Sequence, residues 1–121
     1  MIDWDSIEFF DRSEFDQPDH LDPVLITRLD MARRDAGIPF KITSDWRAWT
    51  DGDSAHEHGF AVDIDTVAGR DRFTIVTACL KHFSRVGVYH SDKGGHVHVD
   101  VGELHDPSKW HPRMMWAGQS R

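Results

Sequence analysis

The sequence predicts an α+β domain in which a small antiparallel sheet carries helices on one face. Two observations support this class. The apolar residues follow the order helix, strand, strand, helix, strand, strand, and two of the strands alternate between apolar and polar positions. A chain of 121 residues is long enough for one hydrophobic core and too short for two, so residues 1–121 are expected to form a single domain.

The first helix is expected to begin after Asp22, because an aspartate N-cap followed by Pro23 is a common helix start. It is expected to end at Gly37, a residue type that often follows the last helical turn. Between these ends, apolar residues recur at helical spacing: Leu25, Ile26, Leu29, Ala32 and Ala36. Residues 1–20 are acidic and aromatic, and we expect them to cover the core without regular structure.

Residues 39–43 predict a strand, and residues 60–64 predict another because apolar and polar residues alternate there. Between them, residues 44–58 predict a long functional loop, since Asp, Gly, Ser and Thr accumulate in this segment. The loop tryptophans, Trp46 and Trp49, either line a substrate groove or cap the core.

A second helix is expected over residues 70–83, with apolar positions at spacings of three and four: Phe73, Val76, Leu80 and Phe83. Residues 85–89 and 96–101 predict two strands, which are joined by a turn around residues 91–95. The tail after residue 106 contains two tryptophans and is expected to pack back on the body of the domain.

The formal net charge is −7, and Lys and Arg are scattered, which argues against the basic stripe of a nucleic-acid-binding protein and against attraction to anionic membranes. No apolar run approaches the roughly 20 residues of a membrane helix, and the acidic start lacks the basic residues of a signal peptide. We expect a monomer that is synthesised in the cytoplasm without a signal peptide, binds no nucleic acid and does not insert stably into membranes. The single cysteine, Cys79, excludes an internal disulfide and is expected to be buried.

Histidine is unusually frequent, with nine in the chain, and two strands place histidines and acids on polar faces. The polar face of the first strand carries Ala61, Asp63 and Asp65, and that of the second carries His96, His98 and Asp100. If both apolar faces meet the helices, both polar faces border one space. An acid from one strand and histidines from its neighbour then converge.

His56 lies seven positions before Asp63, in the preceding loop, and is available as a third ligand. Two imidazoles and one carboxylate leave the fourth tetrahedral position free for water, an arrangement typical of catalytic zinc. Zinc lowers the pKa of such a water to about 7 and polarises a substrate carbonyl, which suits peptide hydrolysis. The spacing alone leaves an ordinary polar strand face as the alternative.

Residues 54–64 contain the pattern Ser-x-His-x-x-Gly-x-Ala-x-Asp, and a His-x-His strand follows later in the chain. This combination resembles the zinc D-Ala-D-Ala carboxypeptidases, which belong with the vancomycin-resistance dipeptidases, the phage L-alanyl-D-glutamate endolysins and the Hedgehog signalling domain. Residues 42–47 are similar to the strand-plus-arginine segment of this family, usually Ser-Gly-Tyr-Arg. The resemblance covers roughly residues 9–110, nearly the whole predicted fold.

The resemblance implies a role for each matching residue. Arg47 matches the arginine that holds a substrate carboxylate, a task that a guanidinium performs through a bidentate fork. Ser54 matches a serine that lines the substrate site, and His96 matches a second active-site histidine, which we expect to stabilise the transition state. The zinc ligands implied by the resemblance are His56, Asp63 and His98.

The general base is where this sequence departs from the family pattern. Many members place Glu or Asp three residues before the third ligand, where this chain has Gly95. Asp92 lies six residues before His98, the spacing of the Hedgehog-type arrangement, and is the first candidate, with Asp100 second. Asp45 is another departure, since glycine is usual there, and it puts a charge near Arg47 that either alters substrate preference or forms a salt bridge.

The resemblance implies a metallopeptidase that cuts the stem peptide of bacterial peptidoglycan. Two activities fit this description: a lytic endopeptidase of phage type, or a carboxypeptidase or dipeptidase acting on D-Ala-D-Ala ends. A phage-derived enzyme would reach the wall after lysis or release. The alternatives are a zinc-binding module without catalysis and a structural component of a virion that carries this domain.

Overall fold

The computed structural model describes residues 1–48, 54–66, 69–92 and 94–119. Over these residues the chain forms an α+β fold with two helices and one five-stranded sheet. The helices are α1 (Pro23–Ala36) and α2 (Gly69–His82), and the strands are β1 (Ile42–Ser44), β2 (Ala61–Asp65), β3 (Arg85–Ser91), β4 (Gly94–Asp100) and β5 (Met114–Gln119). Within the described residues, no helix combines the length and the apolar character needed to cross a membrane.

The sheet has the strand order β1-β2-β4-β3-β5. Neighbouring strands run antiparallel except for β5, which runs parallel to β3. The predicted purely antiparallel sheet is therefore wrong, and the sheet is mixed. Strand β5 was not predicted because Met114–Gln119 contains no β-branched residue and includes Ala117 and Gly118, so its strand propensity is low.

Helix α1 has the ends that its sequence predicts. The Asp22 carboxylate accepts hydrogen bonds from the backbone N–H groups of Val24 and Leu25, at 2.8 and 3.3 Å. Gly37 ends the helix in the left-handed region, with φ of 69°. The buried side chains of both helices form one core with the apolar face of the sheet, which includes Val62, Ile64, Val86, Val97 and Val99.

Helix α2 is present, and its predicted apolar stripe faces the core only in part. Phe83, just after the helix, is buried in the core and Val76 is packed against it, whereas Phe73 is 75% exposed and Leu80 is 49% exposed. The buried face of the helix instead carries Ile75, Ala78 and Cys79. The burial expected for Cys79 is confirmed.

The N-terminal segment covers the core, as expected, but contains three short 3-10 turns: Trp4–Ser6, Arg12–Glu14 and Pro18–His20. The rings of Phe10 and Phe15 lie 5.3 Å apart and are buried in the core. Apolar burial of these two side chains attaches the segment to the helices and sheet.

Candidate metal centre

The pairing of β2 with β4 brings the predicted acids and histidines together. Asp63 lies directly opposite His98, and Asp65 lies opposite His96. The intervening valine and isoleucine side chains point to the other face and are buried in the core. The sequence-based prediction that the two polar faces share one space therefore holds for this pair of strands.

The side chain of His56 lies near Asp63 and His98. It comes from the 3-10 turn Ala55–His58, shortly before β2. The turn ends at Gly59, whose φ is 74°, and a Cβ at this position would lie only 1.8 Å from the carbonyl oxygen of His20. Glycine is required there for both reasons. The imidazole of His56 is buried, at 3% exposure.

The side chains of His56, Asp63 and His98 form a group that can hold a metal ion, since their ligand atoms all lie within 4.8 Å of one another. Asp63 Oδ1 lies 3.4 Å from His56 Nε2 and 3.3 Å from His98 Nδ1. Burial alone would raise the pKa of the Asp63 carboxyl, but its contacts with the two histidines outweigh this and hold the pKa well below its usual range. The carboxylate is therefore ionised and available to a cation.

Hydrogen bonds behind both histidines determine which nitrogen faces Asp63. His56 Nδ1 lies 2.7 Å from the carbonyl oxygen of Asp45, which can only accept, so Nδ1 carries the proton. His98 Nε2 lies 2.7 Å from Oδ2 of Asp100 and likewise donates to it. These bonds fix His56 Nε2 and His98 Nδ1 as the nitrogens that face Asp63. Burial would lower the pKa of His98, but its hydrogen bonds with Asp100 and Asp63 outweigh this and raise the pKa. A bound metal ion would replace the proton on the nitrogen that faces Asp63.

Asp100, the second candidate base in the sequence, is a positioning residue in the structure. Its carboxylate is fully buried and accepts hydrogen bonds from Arg85 Nε at 2.7 Å and from the backbone N–H of Gly102 at 3.0 Å, besides His98. Burial favours the neutral acid, yet these hydrogen bonds prevail and lower the pKa of Asp100. Because it is fully buried and already binds three donors, this carboxylate is not accessible to a substrate proton.

His96 lies beside the three-residue cluster on the same face of β4. Its Nε2 is 3.9 Å from Asp63 Oδ1, and its side chain is 25% exposed. Burial makes the largest contribution and lowers the pKa of His96. The charge of Asp63 raises this pKa, and the charges of His98, His56 and Arg47 lower it further. His96 is thus neutral near pH 7 and can exchange a hydrogen bond with a molecule bound at the cluster.

The structure places the two predicted substrate-binding residues around His56. The backbone N–H of Arg47 donates to the carbonyl oxygen of His56 at 3.3 Å, while the Arg47 side chain is exposed. Its charge is close enough to His96 to lower the pKa of that histidine. Ser54 is half-buried at the start of the turn that carries His56.

The carboxylate of Asp45 binds backbone amides, which differs from the salt bridge to Arg47 that was one of its two predicted roles. Its buried carboxylate accepts hydrogen bonds from the backbone N–H groups of Asp16 at 2.7 Å, Gln17 at 3.1 Å and Trp46 at 2.8 Å. Three amide donors satisfy the charge, so a guanidinium partner is not needed. Asp45 therefore joins the N-terminal segment to the site, and its own carbonyl holds His56.

Asp92, the first candidate base, lies in the turn between β3 and β4 and is exposed. The strand from Gly94 to His98 spans about 13 Å, at roughly 3.3 Å per residue. Within the described part of the chain, no contact joins the Asp92 carboxylate to the cluster. Asp65, on the polar face of β2, lies closer, directly opposite His96.

Two further aromatic residues border the site, and the sequence analysis did not identify them. The ring centroids of Trp116 and His98 are 5.4 Å apart, and Tyr89 stacks on His96 with centroids 4.6 Å apart. Tyr89 is recognisable from the alternation of β3, which puts it on the polar face with Arg85. Trp116 is not, because β5 itself carries no clear pattern.

Trp46 caps the structure near the site, which favours the prediction that it caps the core over the prediction that it lines a substrate groove. Its ring stacks on His20 at 3.9 Å, and its indole N–H donates to the carbonyl oxygen of Glu57 at 2.9 Å. Trp49 lies outside the described residues.

Comparisons of the chain with protein-family models, with curated proteins and with solved structures found no match. The residues of the site are therefore the basis for assigning a function.

Proposed function

We propose that this chain is a zinc-dependent peptidase that hydrolyses peptidoglycan stem peptides. The observation that carries the proposal is the convergence of His56 Nε2, Asp63 Oδ1 and His98 Nδ1. Two neutral imidazoles and one carboxylate are the ligand set of a catalytic zinc site that keeps one position open. The face that carries them is opposite the helices, where a substrate can approach.

The spacing of the ligand atoms supports zinc in particular. Around a tetrahedral ion with bonds of about 2.0–2.1 Å, neighbouring ligand atoms lie roughly 3.3 Å apart. The distances of 3.4 and 3.3 Å from Asp63 Oδ1 agree with this value and exceed ordinary hydrogen bonds to a carboxylate. Calcium and magnesium prefer more oxygen ligands than this site offers. Bound zinc supplies Lewis-acid activation of a water and of a peptide carbonyl near neutral pH.

The remaining residues fit the tasks of peptide hydrolysis. Arg47 binds a free carboxylate of the substrate, Ser54 lines the substrate site, and neutral His96 stabilises the oxygen that becomes negative in the transition state. A carboxylate must also accept a proton from the attacking water and return one to the leaving amine. Asp92 and Asp65 are the two candidates for this base, because Asp63 is a ligand and Asp100 holds His98.

Two reactions are consistent with these residues: cleavage within the stem peptide, as by a phage endolysin, and removal of a terminal D-alanine. Digestion of purified peptidoglycan by the zinc-loaded protein, followed by mass spectrometry, distinguishes them because the new termini identify the bond. We expect new amino and carboxyl termini in the stem peptide. Intact peptidoglycan and intact D-Ala-D-Ala peptides after prolonged digestion would reject the proposed activity.

A zinc-binding module without catalysis is the second candidate function. It is favoured by one observation, which is that Asp92 lies far along the strand from His98 and makes no described contact with the cluster. Tight zinc binding without any peptide cleavage would support this candidate. The third possibility from the sequence, a virion component, uses the same site and makes the same chemical predictions as the enzyme.

A further inference from the structure

Part of the apolar stripe predicted for α2 lines a surface groove. The groove has a volume of about 440 Å³ and is formed by one flank of α2 together with β3 and β5. Its lining includes four helix residues and two sheet residues: Phe73, Val76, Thr77, Leu80, Val88 and Met115. Met115 lies opposite the buried Val86 in the pairing of β5 with β3, so the groove is on the helix face of the sheet, away from the metal-binding group.

A second cavity, of about 270 Å³, continues the groove toward the start of β5. Leu80 and Met115 line both cavities, and Met114 lines the second. In the described part of the chain, four of the eight exposed large apolar side chains lie here, namely Phe73, Leu80, Met114 and Met115. Exposed apolar surface that is collected in one place is typical of a binding surface for another chain.

Strand β5 provides a free edge beside this groove. It is the last strand in the sheet order, with β3 on one side and no described strand on the other. Its six residues, Met114–Gln119, include no charged residue and no proline, the residue types that usually prevent another chain from pairing with an exposed edge. An extended segment of about six residues can therefore add to the sheet along β5.

Two arginines mark the ends of the groove. Arg113 directly precedes β5 and lines the second cavity. Arg72 lines the first cavity and lies near Gly95, because a Cβ on Gly95 would be 3.1 Å from Arg72 Nη2. Gly95 pairs with His90 near the end of β3, and β5 runs parallel to β3. Arg72 is therefore at the end of β5 and Arg113 at its start.

The charge of the groove differs from that of the whole chain, whose formal net charge is −7. Arg72 and Arg113 are the charged residues among the described residues that line the two cavities. The guanidinium of Arg72 contacts oxygen atoms of Thr66, at 3.3 and 3.4 Å, and no described acid forms an ion pair with either arginine. An apolar groove with a positive charge at each end complements a segment that carries the opposite pattern.

We propose that the groove and the free edge of β5 bind an extended segment of another protein, with apolar residues at alternate positions and an acidic residue near each end. The segment pairs with β5 as a further strand, its apolar side chains enter the groove, and its acids reach Arg72 and Arg113. A second copy of this chain fits less well. Antiparallel pairing of two β5 strands would place Arg113 of each copy near Arg72 of the other, and like charges repel.

Binding of a synthetic peptide tests this proposal. The peptide acetyl-Glu-Thr-Val-Thr-Val-Thr-Glu-amide places both valines and both glutamates on one face of a strand. Fluorescence anisotropy with a labelled peptide should give saturable binding with a Kd below about 1 mM. The same peptide with lysine in place of both glutamates should bind about tenfold more weakly. Equal affinity for the two peptides, or no saturable binding of the first, would overturn the proposal.

Backbone methylation tests whether the peptide binds as a strand. One peptide carries methyl groups on the backbone nitrogens of its valines, and another carries them on those of its threonines. Alternate residues of a strand direct their N–H groups to opposite edges, so only one of these peptides should lose binding to β5. Full binding of both methylated peptides would show that the edge of β5 is not used.

Charge reversal tests the role of Arg113. Arg113→Glu should weaken binding of the glutamate peptide about tenfold and strengthen binding of the lysine peptide. Lys41→Glu is the matched control, because it makes the same change in charge at an exposed residue just before β1, at the opposite edge of the sheet. It should leave both affinities unchanged. Equal effects of the two variants would attribute the preference to net charge and not to the groove.

Phe73→Ala tests the apolar part of the groove. The side chain of Phe73 is 75% exposed, so its removal should not disturb folding, which circular dichroism verifies. We expect binding of the glutamate peptide to weaken at least about fivefold, because the ring no longer covers the valines. Unchanged affinity in this variant would remove the helix flank from the binding surface.

Two further measurements separate this proposal from its alternatives. Peptide affinity should be the same in zinc-loaded and metal-free protein, since the groove is on the other face of the sheet from His98. Binding that requires zinc would assign the peptide to the metal site and reject the groove, whereas binding without any peptidase activity would leave the groove intact. Sedimentation equilibrium should show a monomer. A dimer that Phe73→Ala dissociates, together with no peptide binding, would assign the groove to a second copy of the chain.

Discussion

His98 Nε2 donates a hydrogen bond of 2.7 Å to Oδ2 of Asp100, and this contact turns Nδ1 of the same ring toward Asp63. The contact is itself fixed, because Arg85 and the backbone N–H of Gly102 bind the other oxygen of Asp100. The orientation of one of the three candidate metal ligands thus depends on a buried carboxylate two residues along the strand. Carboxylates in this position commonly orient a histidine ligand and increase its basicity.

Asp100→Asn should weaken zinc binding by about 10- to 100-fold, the usual cost of losing such a partner. The amide carries no charge, so both the Arg85 contact and the orientation of His98 are weakened. Chelator competition gives the affinity directly. Asp16→Asn is a suitable control because it changes an exposed carboxylate. Equal affinities for Asp100→Asn and the unmodified protein would show that Asp100 does not position His98.

Asp45→Ala should lower the free energy of unfolding by about 1–3 kcal/mol, since three partly buried backbone N–H groups lose a charged acceptor. Urea denaturation of the metal-free protein measures this change. Asp16→Ala, on the exposed surface of the same segment, should stay within about 0.5 kcal/mol of the unmodified protein. If both variants are equally stable, the contacts of Asp45 contribute little to folding.

The general base can be assigned by comparing two variants. Asp65→Asn and Asp92→Asn should both bind zinc normally, and loss of the base should reduce turnover by roughly 100- to 10,000-fold. We expect the larger loss in Asp65→Asn, because Asp65 lies opposite His96 whereas Asp92 is in the distant turn. A larger loss of turnover in Asp92→Asn would support Asp92 as the base, as the sequence predicted. Full activity in both variants would place the base elsewhere.

Arg47→Lys should weaken the use of substrates with a free carboxylate, because an ammonium cannot reproduce the bidentate fork of a guanidinium. The expected effect is a higher KM with a smaller change in kcat, as for a group that binds ground state and transition state alike. Arg113→Lys provides a control at an exposed arginine of the tail. Unchanged kinetics on every cleavable peptide would remove Arg47 from the substrate site.

The metal-binding group could be predicted from sequence because strand alternation is a strong constraint. Once Val62 and Val97 are assigned to the core, Asp63 and His98 must point to the opposite face. Their pairing across β2 and β4 then needs only that the two strands be neighbours, which the structure shows.

Other features depend on contacts that no local pattern reveals. Asp45 binds the backbone of Asp16, 29 residues earlier in the chain, and neither residue type indicates this. Trp116 belongs to a strand without alternating hydrophobicity, so its approach to His98 depends on the parallel pairing with β3. Apolar residues in α2 fit more than one helical face, so their spacing alone did not predict that Phe73 and Leu80 are exposed.

Zinc binding by single-site variants tests the metal site most directly. Equilibrium dialysis against zinc should give one ion per chain for the unmodified protein and for His111→Ala, which alters an exposed histidine. His98→Ala and Asp63→Ala should each retain less than about a tenth of this zinc at the same free concentration, because each loses one of three ligands. One zinc ion per chain in both ligand variants would contradict the assignment of His56, Asp63 and His98 as the metal site.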